Sequence, residues 1–256
     1  MKFIKQKKLK NKVFCEIFGK HAVYAAIKNA NRKHQKLYFT KNHRAALDSQ
    51  ITKLIPEIKE LQNIEMNKMF GTEKNHQGIV LKTSKIEQPS LQNIISNSKN
   101  KRSDVIIILD QVTDPINIGS IMRSCALFNC DTIIVSKDNA PDITGNMAKA
   151  ASGALEVTNY ISVVNLSRAI NQLKKNDFWI YGFDSNSSKT NFEFNLPKKC
   201  VFVFGSEGKG LRNLTKKDCD ELIELRIKSQ KKFKIDSLNV SNACSIALFE
   251  HYKKNY

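Results

Sequence analysis

Two stretches of the chain consist entirely of Val, Ile, Leu and Phe and have the length of single β-strands. They are Val105–Leu109 and Val201–Phe204. Continuous runs of Val, Ile and Phe are typical of parallel strands that helices cover on both faces. Strand patterns at 132–135, 157–163, 178–183 and 221–227 alternate with helical patterns at 142–151 and 166–175. This alternation of strands and helices predicts an α/β fold with a parallel sheet over residues 104–256.

The front of the chain predicts a smaller α/β domain over residues 13–85. Its pattern predicts a helix at 21–27, a strand at 36–40, a helix at 45–61 broken at Pro56, and a strand at 77–83. Residues 86–103 are rich in Asn and Ser and predict a linker with one brief helix. Residues 1–12 carry six lysines and predict a basic arm, which could bind phosphates or serve only as a solubilising tail.

The second apolar run ends in a glycine-rich turn. Gly205, Gly208 and Gly210 follow Phe204 within six positions, with Glu207 between two of them. The spacing matches neither the phosphate-binding loop nor the dinucleotide-binding motif. Small molecules bind at the carboxyl ends of strands in open α/β sheets, so we expect a ligand there, although a turn without a ligand has the same pattern.

Two further polar segments are expected at the same edge of the sheet. Asn117 and Arg123 follow the first apolar run, and Arg123 is expected on the less apolar side of a helix. The last helix is expected to begin with Asp236 or Ser237 as its cap, with Asn239 in its first turn. Its first turns hold only small or short side chains, so another part of the structure must approach them closely.

The charge of the chain points to a polyanionic partner. The formal net charge is +18, and residues 1–85 carry nineteen Lys and Arg against six Asp and Glu. The front third is therefore the better candidate for binding RNA or DNA. The alternative explanation for the high net charge is that the proteins of the organism are rich in lysine in general.

The remaining composition indicates a reduced, metal-free protein of the cytoplasm. The six cysteines form no C-x-x-C pair, and the five histidines lack the spacing of metal ligands. No apolar run is long enough to form a signal peptide or to span a bilayer. We therefore expect no metal site and no membrane partner.

Three motifs in this order resemble those of the TrmH (SpoU) family of RNA ribose 2′-O-methyltransferases, which belong to the SPOUT class. They are 114–119 (DPINIG) with Arg123, 204–210 (FGSEGKG) and 237–243 (SLNVSNA). Residues 18–23 and 76–80 resemble the ends of the substrate-binding domain of the bacterial subgroup that methylates a guanosine of 23S rRNA. The resemblance thus covers nearly the whole chain.

The resemblance implies a deep trefoil knot in the second domain, an L30e-like fold in the first, and a homodimer. It also implies S-adenosylmethionine as the cofactor, held by Gly205, Leu225 and Leu238, with Ile227 near the adenine. The chain departs from the family pattern before the last motif. Residues 225–227 lack the usual proline, and the lysine-rich segment 228–236 lacks a glycine.

The catalytic residues implied by the resemblance are Asn117, Arg123, Glu207, Ser237 and Asn239. Because arginine stays protonated in proteins, Arg123 is expected to hold phosphate and ribose and to stabilise the developing alkoxide, rather than to act as a base. Asn117 is expected to orient Arg123 or the ribose, and Glu207 to pair with Arg123 or another cation. The structural alternatives are an Asx turn for Asn117, an exposed loop acid for Glu207 and a helix cap for Ser237.

Three functions remain open on these residues. The first is 2′-O-methylation of a guanosine in 23S rRNA, and the second is 2′-O-methylation of tRNA, against which the front domain argues. The third is a non-catalytic RNA-binding assembly factor that keeps the fold.

Overall fold

The chain divides into two units, each built around its own β-sheet. The computed structural model describes residues 14–138, 140–185, 187, 196–225 and 237–256. The first unit extends to Glu87 and also includes Asp142–Glu156, and the second comprises Gln88–Pro141 and Val157–Tyr256. No described helix has both the length and the apolar character needed to cross a membrane.

The helices and strands follow one another in the order that the hydrophobic pattern predicts, with a few exceptions. Up to residue 98 they are β1 (Phe14–Phe18), α1 (Lys20–Lys28), β2 (His34–Phe39), α2 (Ser49–Lys53), β3 (Glu57–Glu60), α3 (Asn63–Phe70), β4 (Ile79–Ser84) and α4 (Leu91–Ser98). After that they are β5 (Asp104–Asp110), α5 (Pro115–Leu127), β6 (Thr132–Ser136), α6 (Gly145–Ala151), β7 (Asn159–Val163), α7 (Leu166–Lys174), β8 (Trp179–Phe183), β9 (Lys199–Gly205), α8 (Asn213–Asp218), β10 (Glu221–Ile223) and α9 (Val240–Asn255).

The first unit contains a mixed four-stranded sheet in the order β1-β4-β2-β3. Strand β4 is antiparallel to both of its neighbours, whereas β2 and β3 are parallel. Phe18, Met66, Phe70 and Val80 are buried together at the contact of α3 with this sheet. Helix α6 also belongs to this unit, although it is distant in sequence from the other elements.

The second unit contains a six-stranded sheet in the order β10-β8-β9-β5-β6-β7, in which every pair of neighbours is parallel. Strand β5 is buried over its whole length. Ile106 and Val201 pack with Ile170 of α7 on one face, whereas Phe202 meets His251 of α9, with ring centroids 6.0 Å apart. The predicted α/β fold with a central parallel sheet is confirmed, and so is the reason for its continuous apolar strands.

Three local predictions were wrong. The predicted helix at 45–61 is a 3₁₀ turn (Lys41–Ala46) followed by α2 and then by strand β3, which pairs with β2. The last helix begins at Val240 with Asn239 as its cap, rather than with Ser237. The predicted strand at 221–227 ends at Ile223, and residues 226–236, including Ile227, lie outside the described residues.

The cysteines are free thiols. Cys125, Cys130, Cys200 and Cys244 are buried, and the other two are half-buried. Burial raises the pKa of Cys125, Cys200 and Cys244 well above the usual value for a thiol. These residues therefore act as small apolar side chains of the core.

Candidate active site

The glycine-rich turn at the end of β9 folds back on its own strand. Gly205 lies opposite Asp110 in the register of β9 with β5. The N–H of Gly210 donates to the carbonyl of Ser206 at 2.9 Å, which closes the turn. A Cβ atom on Gly205 would lie 2.1 Å from the carbonyl carbon of Gly210. Glycine is therefore required at 205 because the loop backbone returns to this point.

A buried carboxylate anchors the far end of this turn to the neighbouring strand. Asp110 is fully buried and accepts hydrogen bonds from the Arg212 N–H at 3.1 Å, the Arg212 Nε at 2.7 Å and the Thr215 hydroxyl at 2.7 Å. Three donors satisfy a carboxylate that would otherwise be costly to bury. Asp110 thus holds the exit of the loop and the start of α8 against the end of β5.

Three side chains from distant parts of the sequence meet beside the turn. Asn117 Nδ2 donates to Glu207 Oε1 at 3.0 Å, and Asn239 Nδ2 donates to the same oxygen at 2.8 Å. Asn239 Nδ2 also donates to Asn117 Oδ1 at 3.0 Å. The structure therefore brings together the three motifs that the sequence places apart.

The two asparagines are positioned by the first turns of two helices. Asp114 caps α5 by accepting from the N–H groups of Ile116 and Asn117, at 3.2 and 3.1 Å. Asn239 caps α9 through Oδ1, which accepts from the Ser241 N–H at 2.9 Å and leaves Nδ2 for the cluster. The first turns of α5 and α9 thus place both Nδ2 groups against the carboxylate of Glu207.

The small side chains at the start of α9 face helix α5. Ser124 Oγ and Ser245 Oγ lie 2.6 Å apart, and Ser245 also donates to the Ser241 carbonyl at 2.8 Å. Cys244 and Ala247 are buried in the same part of the helix. The close approach that the sequence predicts is therefore made by a neighbouring helix.

The expected pairing of Glu207 with Arg123 is not present in this structure. Glu207 accepts from two amides, because the caps of α5 and α9 place their Nδ2 groups next to its oxygen. Arg123 is exposed on α5, and in the part of the chain that the structure describes no hydrogen bond or ion pair reaches its guanidinium.

A cleft of about 520 Å³ lies at the carboxyl ends of β8, β9 and β10. One wall is apolar and includes Phe183 and Phe204, whose rings stack at 4.4 Å. The lining contains Gly205, Leu225 and Leu238, which were expected to hold the cofactor, as well as Glu207 and Ser237. Asn117, Arg123 and Asn239 are outside the lining of this cleft.

The chemistry of the cleft fits a positively charged ligand that carries an aromatic ring. Its volume lies in the usual range of roughly 300–1,000 Å³ for small-molecule sites. The apolar wall matches an adenine. The lining holds three carboxylates, of Asp184, Glu207 and Glu224, against the two lysines Lys209 and Lys216, and this acidic excess of one favours a sulfonium cation. Asp184 also pairs with Lys216 at the rim.

Sequence reasoning missed several residues of this site. Phe183 and Asp184 enter the lining only because β8 lies beside β9. Asp110 could have been identified, since it is an acid placed directly after five apolar residues of a central strand.

Two sequence profiles match the chain. That of the SpoU rRNA Methylase family matches residues 104–249, and that of RNA 2′-O ribose methyltransferase substrate-binding domains matches residues 17–89.

Individual relatives and a solved structure resemble the chain over most of its length. A protein of Coxiella burnetii named 23S rRNA (guanosine-2′-O-)-methyltransferase RlmB is 35% identical over 241 residues, which are 91% of this chain and 93% of the relative. The Escherichia coli protein of the same name is 31% identical over 243 residues, with coverages of 91% and 96%. The crystal structure of the SpoU methyltransferase AviRb from Streptomyces viridochromogenes with AdoMet has a TM-score of 0.75 at 18% identity and covers 97% of this chain and 92% of its own. At that identity the last comparison establishes the fold alone.

Proposed function

This chain belongs to the SpoU rRNA methylase family, and we propose that it methylates the ribose 2′-hydroxyl of a guanosine in 23S rRNA. It is an S-adenosylmethionine-dependent RNA 2′-O-methyltransferase. The observation that carries the proposal is the joining of three family motifs by the hydrogen bonds of Asn117, Glu207 and Asn239 beside a cleft at the strand ends. The choice of a guanosine in 23S rRNA is supported by the relatives that carry this activity in their names.

We propose that the cofactor binds in the cleft beside the glycine-rich turn. S-adenosylmethionine supplies an electrophilic methyl group when it is bound. The adenine is assigned to the apolar side, near Leu225 and Leu238, with main-chain groups of Gly205 within reach. Ile227 is assigned to the same side but lies outside the described residues. The carboxylate of Glu207 favours the sulfonium charge.

The catalytic roles follow from what each side chain can do. Arg123 is exposed and therefore free to bind an RNA phosphate and to stabilise the negative charge that develops on the ribose oxygen. Asn117 and Asn239 hold the carboxylate of Glu207 in a fixed position, so that the turn is organised before the substrate binds. Ser237, exposed at the cleft, is assigned to a hydrogen bond with the ribose.

The functional division proposed for the chain follows the sequence. Residues 1–12 form a basic arm, 13–85 an L30e-like domain that binds RNA, 86–103 a linker and 104–256 the methyltransferase domain with a trefoil knot. The two profile matches, to residues 17–89 and 104–249, support this division. The structure departs from it in one respect, since Asp142–Glu156 belongs to the first unit. We place the protein in the cytoplasm, where ribosomal RNA is found.

We also propose that the protein acts as a homodimer. Leu127, Phe249 and Tyr256 are exposed by 66%, 47% and 61% on or beside α5 and α9. Phe128 contacts Phe249 and Tyr252, with centroid distances of 5.9 and 6.0 Å, and Tyr252 stacks on Tyr256 at 5.2 Å, so Phe249 and Tyr256 belong to one aromatic cluster. An apolar cluster of this kind is typical of a surface that a second copy covers. Arg123 projects from α5, so it could serve the cofactor of either subunit.

Mapping ribose methylation on total RNA tests the proposed reaction. We expect one guanosine of 23S rRNA to lose its 2′-O-methyl group when the gene is deleted and to regain it when the wild-type chain is supplied. Loss of methylation at a tRNA position instead would assign the enzyme to tRNA.

Calorimetric titration with S-adenosylmethionine tests separately whether the protein is an enzyme or a non-catalytic assembly factor. We expect saturable binding in the micromolar range, on the order of 10 μM. A chain that binds RNA but not the cofactor would be an assembly factor that has kept the fold.

A further inference from the structure

The first unit contains a second cleft, which no part of the proposed reaction uses. It has a volume of about 420 Å³ and lies between the turn after β2, the start of α3 and the segment 71–78. We refer to it as the amide cleft, because Asn42, Asn63, Asn67 and Asn75 line it together with Gln77. Among the described residues, the lining contains no lysine, arginine, aspartate or glutamate.

The floor of the amide cleft is held in one conformation by hydrogen bonds. The N–H of Gly78 donates to His76 Nδ1 at 3.0 Å, so His76 Nε2 carries the proton and donates to Asn67 Oδ1, also at 3.0 Å. Burial lowers the pKa of His76, in keeping with this neutral ring. His43 Nε2 binds the Gln77 carbonyl at 2.8 Å from the other side. This framework fixes the loop that carries Asn75 and Gln77.

The backbone of this loop adopts conformations that side chains normally avoid. Asn75 and Gln77 have φ angles of 41° and 55°, in the left-handed region. Gly78, at φ 74°, has no room for a side chain, because a Cβ would lie 2.5 Å from Thr40 Oγ1. Strained residues held by their surroundings are concentrated at binding sites. The strained backbone and the concentration of amides therefore both indicate a binding site.

Two of the amides have unused hydrogen-bonding capacity. Asn42 and Asn63 are exposed, and no hydrogen bond joins either side chain to another described residue. Each side-chain amide offers a donor and an acceptor in one plane, which is the pattern of a base edge. A phosphate would instead call for cations. Lys41 and Arg44 line a neighbouring cavity that shares Asn42 and Asn63 with the amide cleft, but they are outside the lining of the amide cleft itself.

We propose that the amide cleft binds an unpaired nucleobase of the RNA substrate through the side chains of Asn42 and Asn63. The proposal rests on the proposed function, in which this unit holds the RNA. The volume of the amide cleft suffices for one base. Unpaired bases are the part of RNA that proteins recognise by hydrogen bonds to the base edges. The contact contributes sequence or structure selectivity, whereas the positive charge of the unit contributes affinity.

The test is to measure RNA affinity of the full-length chain by fluorescence anisotropy. The double variant Asn42→Ala/Asn63→Ala is compared with the wild type and with Asn31→Ala/Gln50→Ala, which removes two exposed amides of the same unit outside the cleft. The probes are a single-stranded RNA oligonucleotide, the same strand in a perfect duplex, and an abasic strand of equal length. Thermal melting of each variant confirms that it is folded.

We expect the cleft variant to bind the single strand about tenfold more weakly, which corresponds to about 1.4 kcal/mol and to the loss of one base contact. Its affinity for the duplex and for the abasic strand should equal that of the wild type, as should the salt dependence of binding. The control variant should match the wild type throughout. Equal losses on all three probes, or a salt slope reduced by about one, would show that the cleft binds phosphate and would overturn the proposal. Unchanged binding of the single strand would overturn it as well.

Methylation by the wild-type chain separates this inference from the proposed function. If the wild type methylates 23S rRNA and the cleft variant binds like the wild type, the inference alone is wrong. If the wild type transfers no methyl group, the proposed function is wrong, and the affinity comparison still decides whether the cleft binds a base.

Discussion

At the scale of single residues, the site depends on side chains that fix one another before any ligand arrives. Glu207 is exposed on a turn with two further glycines, yet two amides hold its oxygen at 2.8 and 3.0 Å. Arg123, by contrast, has no partner in the described ranges. A fixed carboxylate and an unpaired cation are suited to different tasks, the first to organising the turn and the second to meeting a substrate anion.

We expect Arg123→Ala to lower the rate of methyl transfer at least about 100-fold, because it removes the cation to which we assign the stabilisation of the developing charge. S-adenosylmethionine affinity should stay within a few fold, since Arg123 does not line the cleft. Single-turnover transfer and calorimetry measure the two effects. Arg168→Ala, an exposed arginine on α7, is the matched control. Equal loss of transfer and cofactor binding would contradict the role given to Arg123.

Asp110→Asn should weaken cofactor binding about tenfold or more through the glycine-rich turn. The side-chain NH₂ group of the new asparagine would face a hydrogen-bond donor of Arg212 or Thr215 in place of an acceptor. At least one of the hydrogen bonds that anchor the loop would therefore be lost. The free energy of unfolding should also fall by about 2 kcal/mol. Thr215→Val, which removes one donor and keeps the carboxylate, should have the smaller effect on both. Cofactor affinity unchanged in Asp110→Asn would show that the loop does not depend on this anchor.

His251 should make the protein less stable as the pH falls. The side chain is only 1% exposed and packs against Phe202, and burial lowers its pKa to about 4 despite an opposing contribution from the Lys198 carbonyl. The unfolded chain takes up a proton near pH 6.5, so this contribution to stability is complete above about 6.5 and is lost as the pH falls toward 4. The loss amounts to about 3 kcal/mol by pH 4.

Urea unfolding at several pH values measures this effect. His251→Leu should lose less stability than the wild type between pH 6.5 and 4. Part of the pH dependence should remain, since burial also lowers the pKa of His34 and His76. His21→Leu, an exposed histidine of α1, should behave as the wild type. If the His251 variant keeps the full pH dependence, its protonation does not limit stability.

At the scale of elements, distant segments are joined by a few specific contacts. Arg32 forms a bidentate pair with Glu156, at 2.8 and 2.9 Å, and the two side chains are 1% and 7% exposed. Asn29 donates to the same carboxylate at 2.7 Å, and Arg32 Nη1 donates to the Ser84 carbonyl at 2.6 Å. This cluster attaches the 3₁₀ turn at Ala154–Glu156 to the sheet of the first unit.

Arg32→Met should destabilise the first unit by about 3 kcal/mol, because it leaves the Glu156 carboxylate buried without its cation. The double variant Arg32→Met/Glu156→Leu should recover much of this loss, since it removes both charges. Urea unfolding of the four members of the cycle measures the coupling. Additive losses would mean that the pair makes no net interaction.

At the scale of the whole molecule, the net charge of +18 determines how the affinity for RNA depends on salt concentration. Lysines and arginines that neutralise phosphates release counterions, so binding weakens as salt rises. The excess charge resides mainly in residues 1–85, which carry nineteen basic against six acidic side chains. Affinity from this source does not depend on sequence, so selectivity must come from specific contacts.

We therefore expect RNA affinity to fall at least about tenfold between 50 and 200 mM salt, with a linear dependence of log affinity on log salt. Fluorescence anisotropy with a 23S rRNA fragment measures the slope, and an unrelated RNA of equal length is the control. Both RNAs should lose affinity to a similar extent. An affinity insensitive to salt would show that the charge of the chain does not contact phosphates.

The sequence by itself determined the class of the fold and the residues of the motifs. Continuous apolar runs such as Val105–Leu109 can be satisfied only in a sheet covered on both faces, so the parallel α/β arrangement follows from local composition. The three motifs likewise identify Asn117, Glu207 and Asn239 without coordinates, because their residues resemble the signature motifs of the family.

Only the tertiary structure decided which groups touch. Strand β3 was predicted as helix because its pairing with β2 is a contact between separate segments. The amide partners of Glu207 and the anchor at Asp110 were missed for the same reason. Hydrogen bonds between residues about 30 to 120 positions apart leave no periodic signal in the sequence, since they depend on where the strands end in space.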